Sequence, residues 1–183
     1  MVKKLALLGA GRIGKVHAKA IGEDKRAQLV AVADAFPEAA KAIADAFGAA
    51  VKTIEEIEAD ASIDAVLICT PTNTHSDLIE RFTAAGKAVF CEKPIDLDVK
   101  RAEACAEVVR ASGGKVMLGF YPPFGPPFSA GRQASCGGKN GEGGKGPTTS
   151  RDTRAPPPRE IKSFRGTFRG MTIHEFDNGR LPL

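Results

Sequence analysis

Three glycines near the start of the chain have the spacing of a phosphate-binding turn. The apolar run LALLG leads into GAGRIG, and residues with helical spacing follow. In such a turn Gly9 permits a tight bend, Gly11 lets the backbone approach a pyrophosphate, and Gly14 lets helix and strand pack closely. The N–H groups at the start of the helix, where Arg12 and Ile13 lie, would then bind the phosphates. The pattern predicts a dinucleotide-binding loop, although any glycine-rich turn can match it by chance.

An aspartate at the end of the next apolar run is the second candidate. Asp34 closes the run QLVAVAD and lies 20 residues beyond Gly14, the separation typical of an acid that binds the ribose of a dinucleotide. Its carboxylate would accept hydrogen bonds from the ribose diol and repel a 2′-phosphate, which favours NAD over NADP. The alternative is a structural turn followed by a solvated aspartate. The strand before the glycines and the helix after them favour the dinucleotide interpretation.

Polar residues also follow two later apolar runs. They are Thr70, Pro71, Asn73 and His75 after DAVLIC, and Glu92 and Lys93 after AVFC. Because the carboxyl ends of parallel strands meet at one edge of a sheet, we expect both groups at the rim where such folds bind ligands. Each has a plainer explanation too, since the first could be a turn before a helix and Lys93 one more surface lysine. Their common position predicts contacts with the cofactor, near its nicotinamide.

A histidine late in the chain is the remaining candidate for proton transfer. His174 lies in FRGMTIHEFD, and Asp177 follows it three residues later on the same face of a possible short helix. An imidazole, with an unperturbed pKa of about 6.5, can remove a proton near neutral pH. A lone helical histidine is more often structural than catalytic, so residue type and position alone leave both roles open.

The first 120 residues alternate between two kinds of segment. Short runs of apolar and β-branched residues indicate strands, namely LALLG, QLVAVAD, AVKT, DAVLICT, AVFCEK and VMLGF. The segments between them have helical spacing, with Pro37 at one first turn and Gly48, Gly86 and Gly113 after last turns. Nearly continuous apolar strands between helices predict a parallel sheet covered on both faces. The predicted fold class is therefore α/β, with a Rossmann-type doubly wound parallel sheet over residues 1–120.

The composition changes sharply after Phe120. Residues 121–149 are crowded with glycine and proline and have almost no periodic apolar pattern, which is typical of a linker. From residue 150 onward, SRDTRAPPP and a possible short helix near MTIHEFDNGR again look like parts of a folded domain. The sequence thus divides into residues 1–120, a linker-like segment over 121–149, and a third segment over 150–183.

The composition argues against nucleic-acid binding, metal binding and a membrane partner. Hydrophobic residues make up 43% and charged residues 26%, and the net charge is +4. The basic tail lacks interleaved aromatic residues, so we expect no nucleic-acid partner. The four cysteines form no CxxC pair and have no ligand spacing with the three histidines, so no metal site is predicted. Because no apolar run approaches about 20 residues and no signal-peptide pattern is present, we expect no membrane partner and a cytoplasmic location.

Together these motifs resemble the Gfo/Idh/MocA family of sugar and polyol dehydrogenases, and within it the enzymes that act on inositol. The carriers are GAGRIGKVHA, Asp34, CTPTNTHSDLI and CEKPIDLD, of which the last is the most specific. The resemblance implies NAD-dependent oxidation of a secondary alcohol of a cyclic polyol, such as myo-inositol, to the ketone. It implies that Lys93 lies beside the nicotinamide and the reacting hydroxyl, and that His174 takes the hydroxyl proton. It also implies a homo-oligomer, a tetramer by the habit of the family.

The chain departs from the family pattern in three places. Gly170 stands four residues before His174, where the family carries a carboxylate on the same helical face, so we expect impaired turnover. Residues 121–149 keep the family's spacing with an unrecognisable composition, which suggests a misread segment. The chain ends soon after His174, so residues 150–183 are interpreted as a truncated fragment of the family's α+β substrate domain.

Three hypotheses follow for the function. The first is an inositol dehydrogenase-like enzyme, which should form NADH in the presence of a cyclic polyol. The second is a non-catalytic NAD-binding module or degenerate dehydrogenase fragment, which should bind NADH without turnover. The third is a Rossmann-type domain for another nucleotide, which should not bind NADH at all.

Overall fold

Six strands and five α-helices alternate along residues 1–119, which are the part of the chain that this computed structural model describes. The strands are β1 (Lys3–Leu8), β2 (Ala27–Ala33), β3 (Ala50–Val51), β4 (Ala65–Ile68), β5 (Ala88–Glu92) and β6 (Val116–Gly119). The helices are α1 (Arg12–Glu23), α2 (Pro37–Phe47), α3 (Ile54–Ala59), α4 (His75–Ala84) and α5 (Val99–Ser112), and a 3₁₀ turn covers Thr72–Thr74. The strands and helices predicted from the sequence in this range are confirmed.

The six strands form one parallel sheet in the order β3-β2-β1-β4-β5-β6. The chain moves outward from β1 to β3 and then returns to place β4 on the other side of β1. This is the strand order of a doubly wound dinucleotide-binding fold. The order reverses between β1 and β4, and in such sheets ligands bind beyond the carboxyl ends of the strands at this point. The predicted Rossmann-type fold class is confirmed.

Alternate residues of the strands enter two separate hydrophobic cores, one on each face of the sheet. Ala6 and Leu8 of β1 pack with Phe82 of α4 in the first core, which also contains residues of α3 and α5. Leu7 points to the opposite face and packs with Ile21 of α1 and with residues of α2. Because both faces are covered, the strands can be apolar along most of their length, as the sequence shows.

Local sequence signals set several helix boundaries. Thr53 and Glu56 form a capping box at the start of α3, in which the N–H of Glu56 donates to Thr53 Oγ1 at 3.1 Å and the N–H of Thr53 to Glu56 Oε2 at 2.7 Å. Asp98 caps α5 by accepting from the N–H groups of Lys100 and Arg101. These caps bind the N–H groups that the first turn of a helix otherwise leaves without partners.

No helix within residues 1–119 is both long enough and apolar enough to cross a membrane. The same residues contain no cluster of three or more histidine, cysteine, aspartate or glutamate side chains that could hold a metal ion.

Candidate dinucleotide-binding site

The glycine loop between β1 and α1 is packed too closely for side chains at two of its three glycines. Gly9 has a φ of +95°, and a Cβ atom built on it would lie 2.5 Å from the carbonyl oxygen of Cys69, the residue after β4. A Cβ on Gly14 would lie 2.0 Å from the carbonyl oxygen of Gly9. Real Cβ atoms do not approach backbone so closely, so the turn depends on glycine at both positions. The loop therefore bends back against the end of β4, at the switch point of the sheet.

Gly11 differs from the other two glycines because open space lies where its side chain would be. A Cβ on Gly11 would have no atom within 4 Å, and its φ of −71° is accessible to any residue. Neither strain nor packing in the folded chain requires glycine here. An approaching phosphate is a sufficient reason, because it needs the space that a side chain would fill.

The first turn of α1 is suited to an anion. Its N-cap, Gly11, offers no side-chain hydrogen bond to the turn, and the turn carries no acidic residue. Arg12 and Ile13 are exposed at this end. By contrast, α3 and α5 are capped by Thr53 and Asp98. Free N–H groups and the positive end of the helix dipole favour phosphate at this position.

Asp34 lies one residue beyond β2 and forms a hydrogen bond with the backbone of the glycine loop. The N–H of Ala10 donates to its Oδ2 at 2.6 Å, and the N–H of Phe36 donates to its Oδ1 at 2.7 Å. A carboxylate has about four lone-pair sites, so these two bonds leave acceptor capacity for a ribose diol. The donor and acceptor groups of the loop, α1 and Asp34 therefore fit a dinucleotide.

The segment after β4 is held by its own threonines. The Thr74 hydroxyl donates to the carbonyl oxygen of Pro71 at 2.8 Å and lies 2.7 Å from the Thr70 hydroxyl, which must then donate to it. Asn73 is exposed within the 3₁₀ turn. These bonds fix a rigid rim beside the glycine loop.

His75, the first residue of α4, is 1% exposed and bridges two segments of the rim. Its Nδ1 lies 2.7 Å from the carbonyl oxygen of Pro94, and its Nε2 lies 2.9 Å from that of Thr70. The next residue, Ser76, donates to Asp96 Oδ2 at 2.8 Å. The start of α4 thereby connects two segments. One is the end of β4, and the other is the segment after β5 that carries Lys93.

Glu92 ends β5 and its side chain meets α1. Its Oε1 lies 2.8 Å from Nε2 of His17, and both side chains are largely buried. Burial raises the pKa of Glu92, but the hydrogen bonds from His17 and from the backbone N–H of Lys93, together with the positive charge of Lys93, outweigh burial, so the pKa is lowered overall. The half-buried Lys93 follows, and its peptide bond to Pro94 is cis. Glu92 is thus held as a carboxylate by its contacts with His17 and Lys93.

The structure brings most of the predicted site residues to one rim. The ends of β1, β2, β4 and β5 carry the glycine loop, Asp34, Thr70 and Glu92. Direct contacts join these ends, through Ala10 with Asp34, His17 with Glu92, and His75 with Thr70 and Pro94. His174 and Gly170, with the rest of residues 120–183, lie outside the described residues.

Two residues with side-chain contacts at the rim were not predicted as site residues from the sequence. Ser76 and His17 both form side-chain contacts there. For His17 a signal exists, because Gly14, Ala18 and Ile21 form the buried stripe of α1, and a polar residue next to that stripe needs a partner. Nothing in the sequence identifies Glu92 as that partner.

The cysteines near the rim are packing residues. Cys69 and Cys91 are buried free thiols. Burial raises the pKa of Cys69 to about 12, and burial also raises that of Cys91. Both thiols therefore remain protonated and unreactive at neutral pH, as small buried hydrophobic residues.

We expect acid to destabilise the fold. The pKa of Glu92 is lowered in the folded chain, and the pKa of Asp96 is lowered too because hydrogen bonds from the loop and Ser76 outweigh burial. Carboxylates of this kind stabilise the fold above their unfolded-state pKa values and lose that contribution as pH falls through the folded values. The melting temperature should be at least about 5 °C lower near pH 3 than near pH 7. Glu92→Gln should show a smaller decrease, and a melting temperature that does not change with acid would contradict the assignment.

Comparison with known proteins agrees with this geometry. Residues 3–120 match the Gfo/Idh/MocA family, described as an oxidoreductase family with an NAD-binding Rossmann fold. The chain belongs to the Gfo/Idh/MocA family. The predicted Rossmann-type fold and the predicted cofactor, NAD, are confirmed by this match.

Individual relatives are inositol dehydrogenases. The chain is 58% identical to inositol 2-dehydrogenase of Rhizobium meliloti (strain 1021) over 183 residues, which are 100% of this chain and 56% of that protein. The myo-inositol dehydrogenase of Corynebacterium glutamicum has a crystal structure that matches with a TM-score of 0.86 and 39% identity, over 98% of this chain and 54% of that one. The scyllo-inositol dehydrogenase of Lactobacillus casei, solved with NAD(H) and scyllo-inositol, matches with a TM-score of 0.72 and 32% identity, over 77% and 43%. The chain thus spans about half the length of these relatives.

Proposed function

We propose that this protein oxidises a secondary alcohol of a cyclic polyol, such as myo-inositol, to the ketone with NAD⁺. The observation that carries the proposal is the set of contacts that joins the glycine loop, the end of β4 and the Glu92–Lys93 segment into one rim. Such a rim can hold a dinucleotide at one end and present a lysine at the other. The inositol dehydrogenases to which the chain is similar support the choice of substrate class.

The cofactor would bind along the rim through backbone and carboxylate groups. The first turn of α1 holds the pyrophosphate, and Gly11 leaves the space for it. Asp34 accepts from the ribose diol of the adenosine half and excludes a 2′-phosphate by like-charge repulsion. The nicotinamide half is bordered by Thr70, Pro71 and Asn73. The buried His75 holds their segment in place through its hydrogen bonds to Thr70 and Pro94. When bound, NAD⁺ supplies the hydride acceptor.

Two side chains then serve the reacting alcohol. Lys93, beside the carboxylate of Glu92, places a cation near the substrate oxygen and stabilises its alkoxide character as the proton leaves. His174 accepts the hydroxyl proton as a general base. The C–O bond becomes C=O as the carbon loses its hydride, so the products are the ketone, NADH and a proton. The protein would act as a homo-oligomer on a small-molecule substrate.

Replacing Lys93 with methionine tests the proposal. With NAD⁺ and myo-inositol or scyllo-inositol, we expect formation of NADH that Lys93→Met lowers at least about 100-fold, the usual cost of losing one group that stabilises an oxyanion. Lys25→Met is the matched control, since Lys25 is an exposed lysine away from the rim. It should retain full activity. If no cyclic polyol yields NADH although NADH binds, the catalytic proposal fails.

A second candidate, a non-catalytic NAD-binding module, is favoured by one observation. Gly170 stands where the family carries a carboxylate one helical turn before the histidine. Without that carboxylate, little supports the protonated form of His174. NADH binding without turnover, unchanged by Gly170→Asp, would favour this candidate. Turnover gained with Gly170→Asp would instead favour a damaged dehydrogenase.

A further inference from the structure

The side chain of His17 in α1 contacts the end of β5. Binding of the dinucleotide, as proposed above, does not require this contact. Its Nε2 lies 2.8 Å from Oε1 of Glu92, with the two side chains 22% and 17% exposed. The imidazole also packs edge-on against Phe90 of β5, with ring centroids 5.0 Å apart and an interplanar angle of 64°. Two contacts of different kinds therefore fix this ring.

The contact between His17 and Glu92 also affects where the Lys93 side chain lies. Its carboxylate accepts from His17 and also feels the positive charge of Lys93. A largely buried carboxylate that loses one partner is drawn more strongly to the remaining cation, because leaving the charge without a partner is costly. Loss of His17 would thus pull the Lys93 ammonium towards Glu92 and away from the nicotinamide half of the site.

The pair also connects the two ends of the cofactor site. The first turn of α1 is the pyrophosphate end, whereas Glu92 leads directly into Lys93. The helix packs chiefly on β1, β2 and α2, and the His17 side chain extends from it to β5. The His17 side chain therefore links the phosphate-binding helix to the segment that carries Lys93.

We propose that His17 is a positioning residue, which fixes the Glu92–Lys93 segment relative to the phosphate-binding helix and so shapes the nicotinamide half of the site. The inference rests on the proposed function. Neither His17 nor Glu92 belongs to the hydrophobic cores, and α1 is anchored through Ala18 and Ile21. Variants at His17 should therefore remain folded.

Two ligands separate positioning from general structural damage. NADH contacts the whole site, whereas ADP-ribose lacks the nicotinamide and needs only the glycine loop, α1 and Asp34. His17→Phe keeps a ring against Phe90 but removes the hydrogen bond to Glu92. We expect it to weaken NADH binding about tenfold and ADP-ribose binding by less than about twofold, since a small misplacement affects only the groups that it moves.

A conservative variant and a control complete the experiment. His17→Gln places an amide donor near the position of Nε2 and should restore NADH affinity to within about threefold of the original protein. Glu23→Gln removes an exposed ion pair with Lys19 on the same helix, and it should change neither affinity.

Three results would overturn the assignment of His17. They are equal loss of NADH and ADP-ribose binding in His17→Phe, no loss of either, and failure of His17→Gln to recover NADH affinity. An unaltered protein that binds neither ligand would overturn the proposed function itself, and this inference with it. The titration of the unaltered protein therefore distinguishes the two failures.

Discussion

Replacing Gly11 with alanine should lower NADH affinity at least about 100-fold while leaving the melting temperature unchanged within about 2 °C. The backbone at Gly11 has a φ of −71°, and an added Cβ would have no atom within 4 Å. The folded chain therefore tolerates the methyl group. A bound pyrophosphate does not, because the methyl group would occupy the space in which phosphate approaches the first turn of α1.

Gly11→Ala should therefore change NADH affinity without changing stability. Calorimetric titration with NADH and a thermal melt of the same sample measure both quantities. A Gly11→Ala protein that binds NADH normally would place the pyrophosphate elsewhere. One that melts much earlier would mean that the open space beside Gly11 is needed for folding rather than for a ligand.

Replacing Gly14 with alanine should have the opposite profile, a large loss of stability. The new Cβ would lie 2.0 Å from the carbonyl oxygen of Gly9, and this neighbour is backbone, which cannot move aside inexpensively. Overpacking of this kind costs about 3 kcal/mol, which corresponds to a decrease in melting temperature of about 10 °C or more. NADH binding should also fall, because α1 cannot separate from β1 without moving the phosphate-binding turn.

Gly11→Ala is the matched control for Gly14→Ala, since both add one methyl group to the same loop. Urea unfolding of the two variants gives the free energy of unfolding directly. Equal stabilities would show that the close contact between Gly14 and Gly9 is not present in solution.

The architecture of residues 1–119 was predictable because several independent signals agree along this part of the chain. Runs such as LALL and LVAVA are continuously apolar, which a sheet covered on both faces explains. Pro37, Gly48 and Gly113 mark helix ends, and the structure has α2 beginning at Pro37, with Gly48 and Gly113 in the left-handed conformation after α2 and α5. The motif GAGRIG and Asp34 then fix which end of the sheet binds a ligand.

Details of the rim were not predictable, because they depend on contacts between residues far apart in the sequence. His75 was expected to contact the cofactor, but the type of residue did not reveal that its ring would be buried against Pro94 and Thr70. The pairing of His17 with Glu92 joins residues 75 positions apart. No local pattern encodes such a separation, since it follows from how helices pack on the finished sheet.

We propose that this rim is an NAD site in which Asp34 excludes NADP. The most direct test is a fluorescence titration of the 183-residue chain with NADH and, in parallel, with NADPH. We expect saturable NADH binding with a Kd of about 1–100 μM, and NADPH binding at least about tenfold weaker because Asp34 repels the 2′-phosphate. The absence of saturable NADH binding, or equal affinity for NADPH, would contradict it.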